Sequence, residues 1–279
     1  MGILNEYYTL SNGVRIPKLA IGTWQVPDGA AVESVGAAFR NGYRHVDSAS
    51  SYKNEKGVGK AVRESGIPRA ELFVTTKIPA EVKSYKEAKE SIQKSLENLN
   101  VNYIDLMLIH APKPWKELFG GSEKTYFKEN IAVWRAMEEA YKEGKLKAIG
   151  ISNFNIQDIQ NLTDNCGIKP MVNQIKFHIG NTQDELTAFC QDNGILVEGY
   201  SPMSTGAVFD CDIIAEMAKK YGKSISQLCI RYVLQRGVLP LPKSTHEEYI
   251  IQNAKVDFVI ADTDMAYLNS RKNVCQAKY

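Results

Sequence analysis

The chain has 279 residues, of which 44% are hydrophobic and 24% are charged. This composition is ordinary for a globular protein and excludes disordered and fibrous chains. Lys and Arg number 34 against 32 Asp and Glu, so the net charge is +2. Such a balance does not favour nucleic acid or an anionic lipid surface as a dedicated partner, and a small-molecule substrate is expected instead.

Cysteine usage and the amino terminus predict a location. The chain contains five widely spaced cysteines and no C-x-x-C pair for zinc or redox work. Reduced thiols and a start at residues 1–6 without a basic or apolar signal region predict a cytoplasmic protein. No stretch reaches ~18 apolar residues, so no membrane span is expected. The cysteines are Cys166, Cys190, Cys211, Cys229 and Cys275.

The first predicted element is a β-hairpin over residues 7–16. Its turn contains Asn12-Gly13, the dipeptide that best tolerates positive φ at both central positions. Beyond it, eight short β-rich segments alternate with helical patterns of 3.6-residue period, such as Tyr85, Ala88, Ile92, Leu96 and Leu99. The predicted strands are residues 19–22, 44–46, 72–76, 104–109, 146–151, 172–175, 195–200 and 238–241.

Eight strand and helix alternations with short connections predict right-handed βαβ units and an α/β fold, a (β/α)₈ TIM barrel. An open doubly wound sheet is the alternative. It would require a glycine-rich phosphate turn to bind a dinucleotide, and the single G-x-G, Gly57-Val58-Gly59, lacks the third glycine. No linker or low-complexity tract divides the chain, so residues 1–279 are expected to form one domain.

Four polar residues lie at or near the carboxyl ends of predicted strands, where barrel active sites form. Asp47, Lys77 and His110 each follow a predicted strand directly, and Tyr52 lies five residues after Asp47. Taken singly, each has a structural explanation: Asp47 as a helix cap, Tyr52 as loop packing, Lys77 as a solvated strand end and His110 as a satisfied polar residue. Their convergence at one end of a barrel favours a catalytic site.

The four residue types suit proton donation to a carbonyl oxygen. A phenol has a pKa of ~10 and serves as an acid at neutral pH only if a cation stabilises its phenolate. Lys77 can supply that charge, Asp47 can keep the lysine charged and oriented, and His110 can hydrogen-bond the substrate carbonyl. Because no protein side chain donates hydride, a nicotinamide cofactor is implied, and no metal is expected.

The segment 42–59, GYRHVDSASSYKNEKGVG, resembles the first signature of the aldo-keto reductase family, and the likeness extends over nearly the whole chain. The resemblance implies a single (β/α)₈ barrel that reduces aldehydes and ketones with NADPH and without metal or flavin. It further implies that Asp47, Tyr52, Lys77 and His110 form the catalytic tetrad, with Tyr52 as the general acid.

The same resemblance implies the cofactor site. Gly22-Thr23-Trp24 resembles the segment after the first barrel strand, and Ser152, Asn153 and the Asn173-Gln174 pair resemble the contacts to the carboxamide, with Tyr200 stacked on the nicotinamide ring. The turn after Tyr200 would lie along the pyrophosphate, Lys243 and Ser244 would hold the 2′-phosphate, and Gln252 and Asn253 would lie near adenine. The cofactor-binding set is completed by Asp47, Ser201, Pro202, Met203, Ser204, Thr245 and Tyr249.

Departures from the family pattern concern substrate and cofactor choice. The family commonly has Trp after the catalytic His, where this chain has Ala111, so the pocket is expected to be wider. Trp24 would form another wall, with Trp115 or Phe119 as a substitute for the missing Trp. NADPH-dependent members carry an Arg where this chain has Tyr249, so some use of NAD(H) beside NADP(H) is expected.

Further departures are Lys176 and Ile179, in place of the usual Glu and Pro, and no functional account of them is available from the sequence. Within the family, the chain more nearly resembles small-substrate reductases of bacteria and protozoa, including those acting on diketogluconate and methylglyoxal.

The protein is expected to be a monomer. Two other functions stay open: a Schiff-base aldolase using Lys77, which borohydride trapping would reveal, and a non-catalytic binding protein.

Overall fold

The computed structural model of the protein describes residues 2–274, and Cys275 lies outside them. An antiparallel strand pair comes first, β1 (Tyr7–Thr9) and β2 (Arg15–Pro17). The connection is wider than the expected two-residue turn, because five residues separate the strands and the positive φ is confined to Gly13, at 85°. The Asn12 side chain instead accepts a hydrogen bond from the Val14 amide at 3.1 Å, which tightens the loop without a left-handed asparagine.

Eight parallel strands follow, each hydrogen-bonded to the next in chain order, so the predicted barrel is confirmed. The first and last are joined where the Gly22 amide donates to the Pro242 carbonyl at 2.9 Å. Gly22 also forms a parallel bridge with Lys243. The strands are β3 (Ile21–Gly22), β4 (His45–Asp47), β5 (Phe73–Ile78), β6 (Ile104–Ile109), β7 (Leu146–Ser152), β8 (Val172–Lys176), β9 (Leu196–Tyr200) and β10 (Leu239–Leu241).

The helices pack against the strands and against one another around the barrel. The strands β5 and β6 are buried along their whole length, which explains their nearly continuous apolar sequence. The helices are α1 (Asp28–Arg40), α2 (Glu55–Glu64), α3 (Tyr85–Leu99), α4 (Trp115–Phe119), α5 (Phe127–Lys142), α6 (Ile156–Asn165), α7 (Asp184–Asp192), α8 (Asp212–Lys220), α9 (Ile225–Gln235), α10 (Glu247–Asn253) and α11 (Asp262–Asn269).

Two boundaries differ from the sequence prediction in a way that matters for the site. Asp47 is the last residue of β4, and Lys77 is the fifth of the six residues of β5, so neither follows its strand as expected. A charged residue usually marks the end of a strand, but here Lys77 and Asp47 form an ion pair inside the barrel, so both remain within their strands. Tyr85 likewise departs from the predicted buried face of α3, because its side chain is exposed.

The cysteines among residues 2–274 are of two kinds. Cys166, Cys190 and Cys229 carry free thiols, whereas Cys211 is disulfide-bonded, which corrects the expectation that the thiols are reduced throughout. Within the same range, no helix has the length and apolar character needed to cross a membrane. Nor does that part of the chain hold a group of three or more His, Cys, Asp or Glu side chains placed to bind a metal ion.

The two glycines of the G-x-G segment serve helix packing. A Cβ at Gly57 would lie 2.0 Å from the Asp28 carbonyl oxygen, and a Cβ at Gly59 would lie 2.1 Å from the Leu99 carbonyl oxygen. Both distances are far below van der Waals contact, and both obstacles are backbone atoms that cannot rotate away. The glycines therefore let α2 approach α1 on one side and the end of α3 on the other, which fixes the helix that follows Tyr52.

Substitution of Gly59 by Ala is expected to lower the free energy of unfolding by about 3 kcal/mol or more, because the added methyl group displaces backbone in a packed interior. Urea denaturation of the purified variant measures the loss. The matched control is Gly29→Ala in α1, where nothing lies within 4 Å of the added Cβ. That change should alter stability by less than about 1 kcal/mol, in the stabilising direction. Equal effects of the two substitutions would show that close packing is not the reason for Gly59.

Candidate active site

The side chain of Lys77 reaches the lumen at the carboxyl end of the barrel and is fully buried, with 0% exposure. Its ammonium group donates to both carboxylate oxygens of Asp47, at 2.8 and 2.9 Å, and to the Ser48 carbonyl at 2.7 Å. A further contact of 3.5 Å joins Nζ to the hydroxyl of Tyr52. Burial works to lower the pKa of Lys77, but Asp47 and Tyr52 outweigh it and raise that pKa. The lysine is therefore a fixed cation.

Tyr52 ends a short 3₁₀ turn, Ser50–Tyr52, between β4 and α2. The turn is fastened to β5 because the Ser50 hydroxyl donates to the Lys77 carbonyl at 2.9 Å. Burial raises the pKa of the Tyr52 phenol, Lys77 lowers it and Asp47 raises it, with a net upward shift. The expectation that the lysine would bring this pKa down is thus half right, since the cation acts in the predicted direction and burial exceeds it.

Asn54 holds this segment and was missed in the sequence. Its side-chain amide donates to the carbonyl oxygens of Thr23 and Val26, both at 2.8 Å, and its oxygen accepts from the Ser48 hydroxyl at 2.8 Å. The Thr23 hydroxyl in turn donates to the Asp47 carbonyl at 2.9 Å. An asparagine directly before a helix is a common cap, and that signal could have identified it.

His110 follows β6 directly and lies beside Tyr52, with ring centroids 5.6 Å apart in an edge-to-face arrangement. Its Nδ1 lies 3.2 Å from the Ser51 hydroxyl. Burial, together with the charge of Lys77, lowers the pKa of the imidazole well below its ordinary value. The ring is accordingly neutral near pH 7, and Asp47, Tyr52, Lys77 and His110 form one contiguous group.

Aromatic side chains continue outward from His110. The Trp115 ring lies edge-on at 5.0 Å from His110, and Phe119 stacks on Trp115 at 5.5 Å with 82% of its surface exposed. Ala111 is fully buried, and its carbonyl accepts from the Lys83 ammonium at 3.1 Å. The indole of Trp24, on the loop after β3, is 42% exposed. Trp115 therefore forms an aromatic wall of the site, in contact with the His110 imidazole.

A second group of predicted residues lies at the ends of β7 and β9. Asn153, with φ of 61°, donates to the His110 carbonyl at 3.0 Å and to the Ser152 hydroxyl at 3.1 Å. Its side-chain oxygen accepts from the Tyr200 hydroxyl at 2.8 Å. The Ser152 hydroxyl donates to the Gln174 carbonyl at 2.9 Å. This network fixes the Tyr200 ring relative to His110.

Gln174 connects the two groups across the barrel. Its amide nitrogen lies 2.9 Å from Asp47 Oδ2, on a strand four positions away around the sheet, and 2.8 Å from Glu198 Oε2 on β9. Asn173 points to the opposite face of β8 and donates to the Phe154 carbonyl, so of that pair only Gln174 joins the site. Glu198 was not predicted, although a lone carboxylate in an apolar strand is a readable signal.

Glu198 is fully buried. Burial is the first cause that raises its pKa, to about 8, and the Asp47 charge raises it further while the Gln174 hydrogen bond and Lys77 act against the shift. Its Oε1 atom has no hydrogen-bond partner among residues 2–274. At pH 7 the carboxyl is therefore largely neutral, and the charge of the lumen is carried by Lys77 and Asp47.

The loop after β9 contains the predicted residues 201–204. Ser201, Ser204 and Thr205 have left-handed φ of 52°, 47° and 52°, a strained sequence of conformations for residues with side chains. The Ser204 hydroxyl is buried and has no hydrogen-bond partner in the described part of the chain. Pro202 is buried and Met203 packs against the core. A buried hydroxyl without a partner at a strained loop is typical of a ligand-binding position.

The remaining predicted residues lie just beyond β10, in or before α10. Within residues 2–274, the Lys243 ammonium has no hydrogen-bond or ion-pair partner, while the Ser244 hydroxyl bonds the His246 backbone. Tyr249 is 56% exposed and its ring lies 5.5 Å from that of His246. Thr245 and Gln252 are exposed and Asn253 is buried. Lys243 lies at the point where the chain after β10 meets β3, through its bridge with Gly22.

Comparison with known proteins identifies the family of the chain. The Aldo/keto reductase family matches residues 18–272. Glyoxal reductase of Bacillus subtilis is 42% identical over 264 residues, covering 94% of this chain and 91% of that protein. Methylglyoxal reductase DkgA of Escherichia coli is 36% identical over 249 residues, covering 88% and 86%.

Solved structures give the same result. An aldo-keto reductase of Bombyx mori in complex with NADP superposes with a TM-score of 0.86 at 33% identity, covering 96% of this chain and 93% of that one. An aldo-keto reductase from a deep-sea metagenome superposes with a TM-score of 0.89 at 36% identity, covering 98% and 97%. On the family match, the barrel and these likenesses, the chain is an NAD(P)H-dependent oxidoreductase that belongs to the aldo/keto reductase family.

Proposed function

We propose that this protein reduces small aldehydes and ketones to alcohols with NADPH, and that Tyr52 donates the proton. The observation that carries the proposal is the buried ammonium of Lys77, held by Asp47 and lying 3.5 Å from the Tyr52 hydroxyl beside a neutral His110. The names of the glyoxal and methylglyoxal reductases similar to this chain favour small α-dicarbonyl compounds as the first substrates to test.

Tyr52, Lys77 and His110 have separate roles in the proposed proton transfer. Tyr52 keeps its proton at neutral pH because burial raises its pKa, so it is available as an acid. When the proton passes to the carbonyl oxygen, the phenolate that forms lies beside the Lys77 cation, which stabilises it. The Ser51 hydroxyl lies 3.2 Å from Nδ1 of His110. We assign the ring the tautomer in which Ser51 donates to Nδ1 and Nε2 carries the proton, so that Nε2 can hydrogen-bond the same carbonyl oxygen.

The residues present fit a nicotinamide dinucleotide. The buried hydroxyl of Ser204 has no hydrogen-bond partner among residues 2–274. Lys243 is exposed just beyond β10, next to Ser244. Ser152, Asn153 and Gln174 would hold the carboxamide, Tyr200 would stack on the ring, and Lys243 with Ser244 would hold the 2′-phosphate. When bound, the reduced cofactor supplies a hydride to the carbonyl carbon.

The same geometry weakens the aldolase alternative. A Schiff-base lysine must be neutral to attack a carbonyl carbon. Lys77 is instead surrounded by three acceptor oxygens, two of them from the Asp47 carboxylate, and its pKa is raised. Its charge makes it a stabiliser of the Tyr52 phenolate and a poor nucleophile.

Replacement of Tyr52 by Phe is expected to lower kcat for methylglyoxal reduction by about 10²–10⁴-fold, the scale of general acid catalysis, while NADPH binding persists. Steady-state NADPH oxidation and fluorescence titration measure the two effects. The control is Tyr103→Phe, which removes a phenol hydroxyl beside the amino end of β6, bonded to the Arg69 carbonyl at 3.4 Å. Near-normal turnover by Tyr52→Phe would exclude Tyr52 as the proton donor.

Replacement of Trp115 by Ala should lower kcat/KM for an aromatic aldehyde by roughly three- to tenfold, since an aromatic contact contributes about 0.5–1.5 kcal/mol. The rate with glyoxal, which is too small to reach past His110, should change little. The ratio of the two substrates in one preparation serves as the internal control. A uniform loss for both would mean that Trp115 supports His110 and does not line the substrate pocket.

Replacement of Tyr249 by Arg should raise the NADPH/NADH ratio of kcat/KM by about tenfold or more, because a guanidinium binds a phosphate with charge-assisted donors that a phenol lacks. The parent should prefer NADPH with measurable use of NADH. The control is Tyr267→Arg on α11, an exposed tyrosine that takes the same charge change. If both variants shift the ratio alike, the effect is one of overall charge and Tyr249 does not lie at the 2′-phosphate.

A further inference from the structure

Glu198 is a buried carboxyl group that the proposed proton transfer does not use. It lies in the middle of β9, between apolar neighbours, and has no exposed surface. Within residues 2–274 its side chain makes one hydrogen bond, in which Oε2 accepts from the Gln174 amide nitrogen at 2.8 Å. A buried carboxyl in a barrel interior costs free energy unless it makes a specific interaction, and the interaction that Glu198 makes is with Gln174.

The two contacts of Gln174 fix which way its amide faces. One amide hydrogen goes to Asp47 Oδ2 at 2.9 Å and the other to Glu198 Oε2, so both hydrogens are used. If the amide were turned over, its carbonyl oxygen would face the Asp47 carboxylate, and two acceptors would repel each other. Gln174 Oε1 accepts no hydrogen bond from any of residues 2–274, so it is the end of the amide left for a ligand.

Asp47 by itself cannot hold the amide in this way. Its two oxygens are already occupied by the Lys77 ammonium at 2.8 and 2.9 Å, and it takes only one Gln174 hydrogen. Without a second acceptor, the other amide hydrogen would be buried and unpaired, which favours rotation of the side chain. Glu198 suits the position, since a neutral carboxyl accepts through its carbonyl oxygen without adding a second negative charge beside Asp47.

We propose that Glu198 is a positioning residue that, with Asp47, pins the Gln174 amide so that only its oxygen faces the cofactor. This inference rests on the proposed function, in which Gln174 contacts the nicotinamide carboxamide. A carboxamide has a donor end and an acceptor end. A fixed acceptor at Gln174 binds the donor end, so one rotational setting of the carboxamide is selected, and with it one orientation of the nicotinamide ring.

The test compares NADP⁺ with 2′-phospho-ADP-ribose, which has the same phosphates and adenine but no nicotinamide. Glu198→Met removes the acceptor and should raise the Kd for NADP⁺ by about three- to tenfold, while the Kd for 2′-phospho-ADP-ribose stays within about twofold. Glu198→Gln keeps a carbonyl acceptor and resembles the neutral acid, so it should restore the parent Kd. Isothermal titration gives each Kd, and Glu198→Leu is a second apolar variant should Glu198→Met fold poorly.

Each result has a defined meaning. Equal weakening of both ligands by Glu198→Met, or failure of Glu198→Gln to restore NADP⁺ binding, would show a general structural role and overturn the inference. Gln174→Met is the partner variant. If it weakens NADP⁺ selectively while Glu198→Met does not, the inference about Glu198 fails and the proposed cofactor contact stands. If Gln174→Met changes neither ligand, the proposed contact between Gln174 and the nicotinamide fails, and the inference about Glu198 fails with it.

Discussion

The structure depends on one buried ion pair. Moving an ammonium and a carboxylate out of water costs several kcal/mol for each ion, and the cost is recovered only when geometry and additional hydrogen bonds are favourable. Lys77 and Asp47 meet both conditions: two short contacts join them, the Ser48 carbonyl accepts a third ammonium hydrogen, and Gln174 donates to the carboxylate. Removal of either ion would leave the other uncompensated in the barrel interior.

The surrounding loops are built to keep that pair in place. The Ser50 hydroxyl bonds the Lys77 carbonyl, and Asn54 joins the loop after β3 to the loop after β4 through three hydrogen bonds. Gly57 and Gly59 permit the close approach of α2 to its neighbours. This packing fixes the position of α2, the helix that follows Tyr52 and Asn54. Packing and these hydrogen bonds hold Tyr52 against the ammonium, in addition to the 3.5 Å contact between Lys77 Nζ and the Tyr52 hydroxyl.

A second network extends from the same pair to the opposite side of the barrel. Gln174 crosses the lumen to Asp47, Asn153 joins the His110 carbonyl to the Tyr200 hydroxyl, and Glu198 completes the set. The groups proposed to transfer the proton and the groups proposed to hold the nicotinamide thus share hydrogen bonds. Geometry at the reacting carbon and geometry at the carboxamide are then set together, which is the arrangement that hydride transfer requires.

The sequence by itself determined the architecture and singled out four polar residues that meet at one end of the barrel. Alternating strand and helix patterns predicted the barrel because each element has its own periodicity. The segment 42–59 marked Asp47 and Tyr52, and the positions after two strands marked Lys77 and His110, which lie at the same end of the barrel. Trp115 was foreseen as a wall after the loss of Trp at Ala111, and its ring does lie against His110. These features are local in the chain or follow from the order of elements.

Only the tertiary structure decided the rest, because the contacts join residues distant in sequence. Glu198 reads as an isolated charge in an apolar strand until β8 brings Gln174 within 2.8 Å of it, and the link from Gln174 to Asp47 spans 127 positions. Burial raises the pKa of Tyr52 and the charge of Lys77 lowers it. Which effect is larger depends on the packing around the phenol, and the sequence pattern does not show that packing. The wide hairpin loop at Asn12 likewise follows from its side-chain bonds to Val14 and to the Lys147 carbonyl.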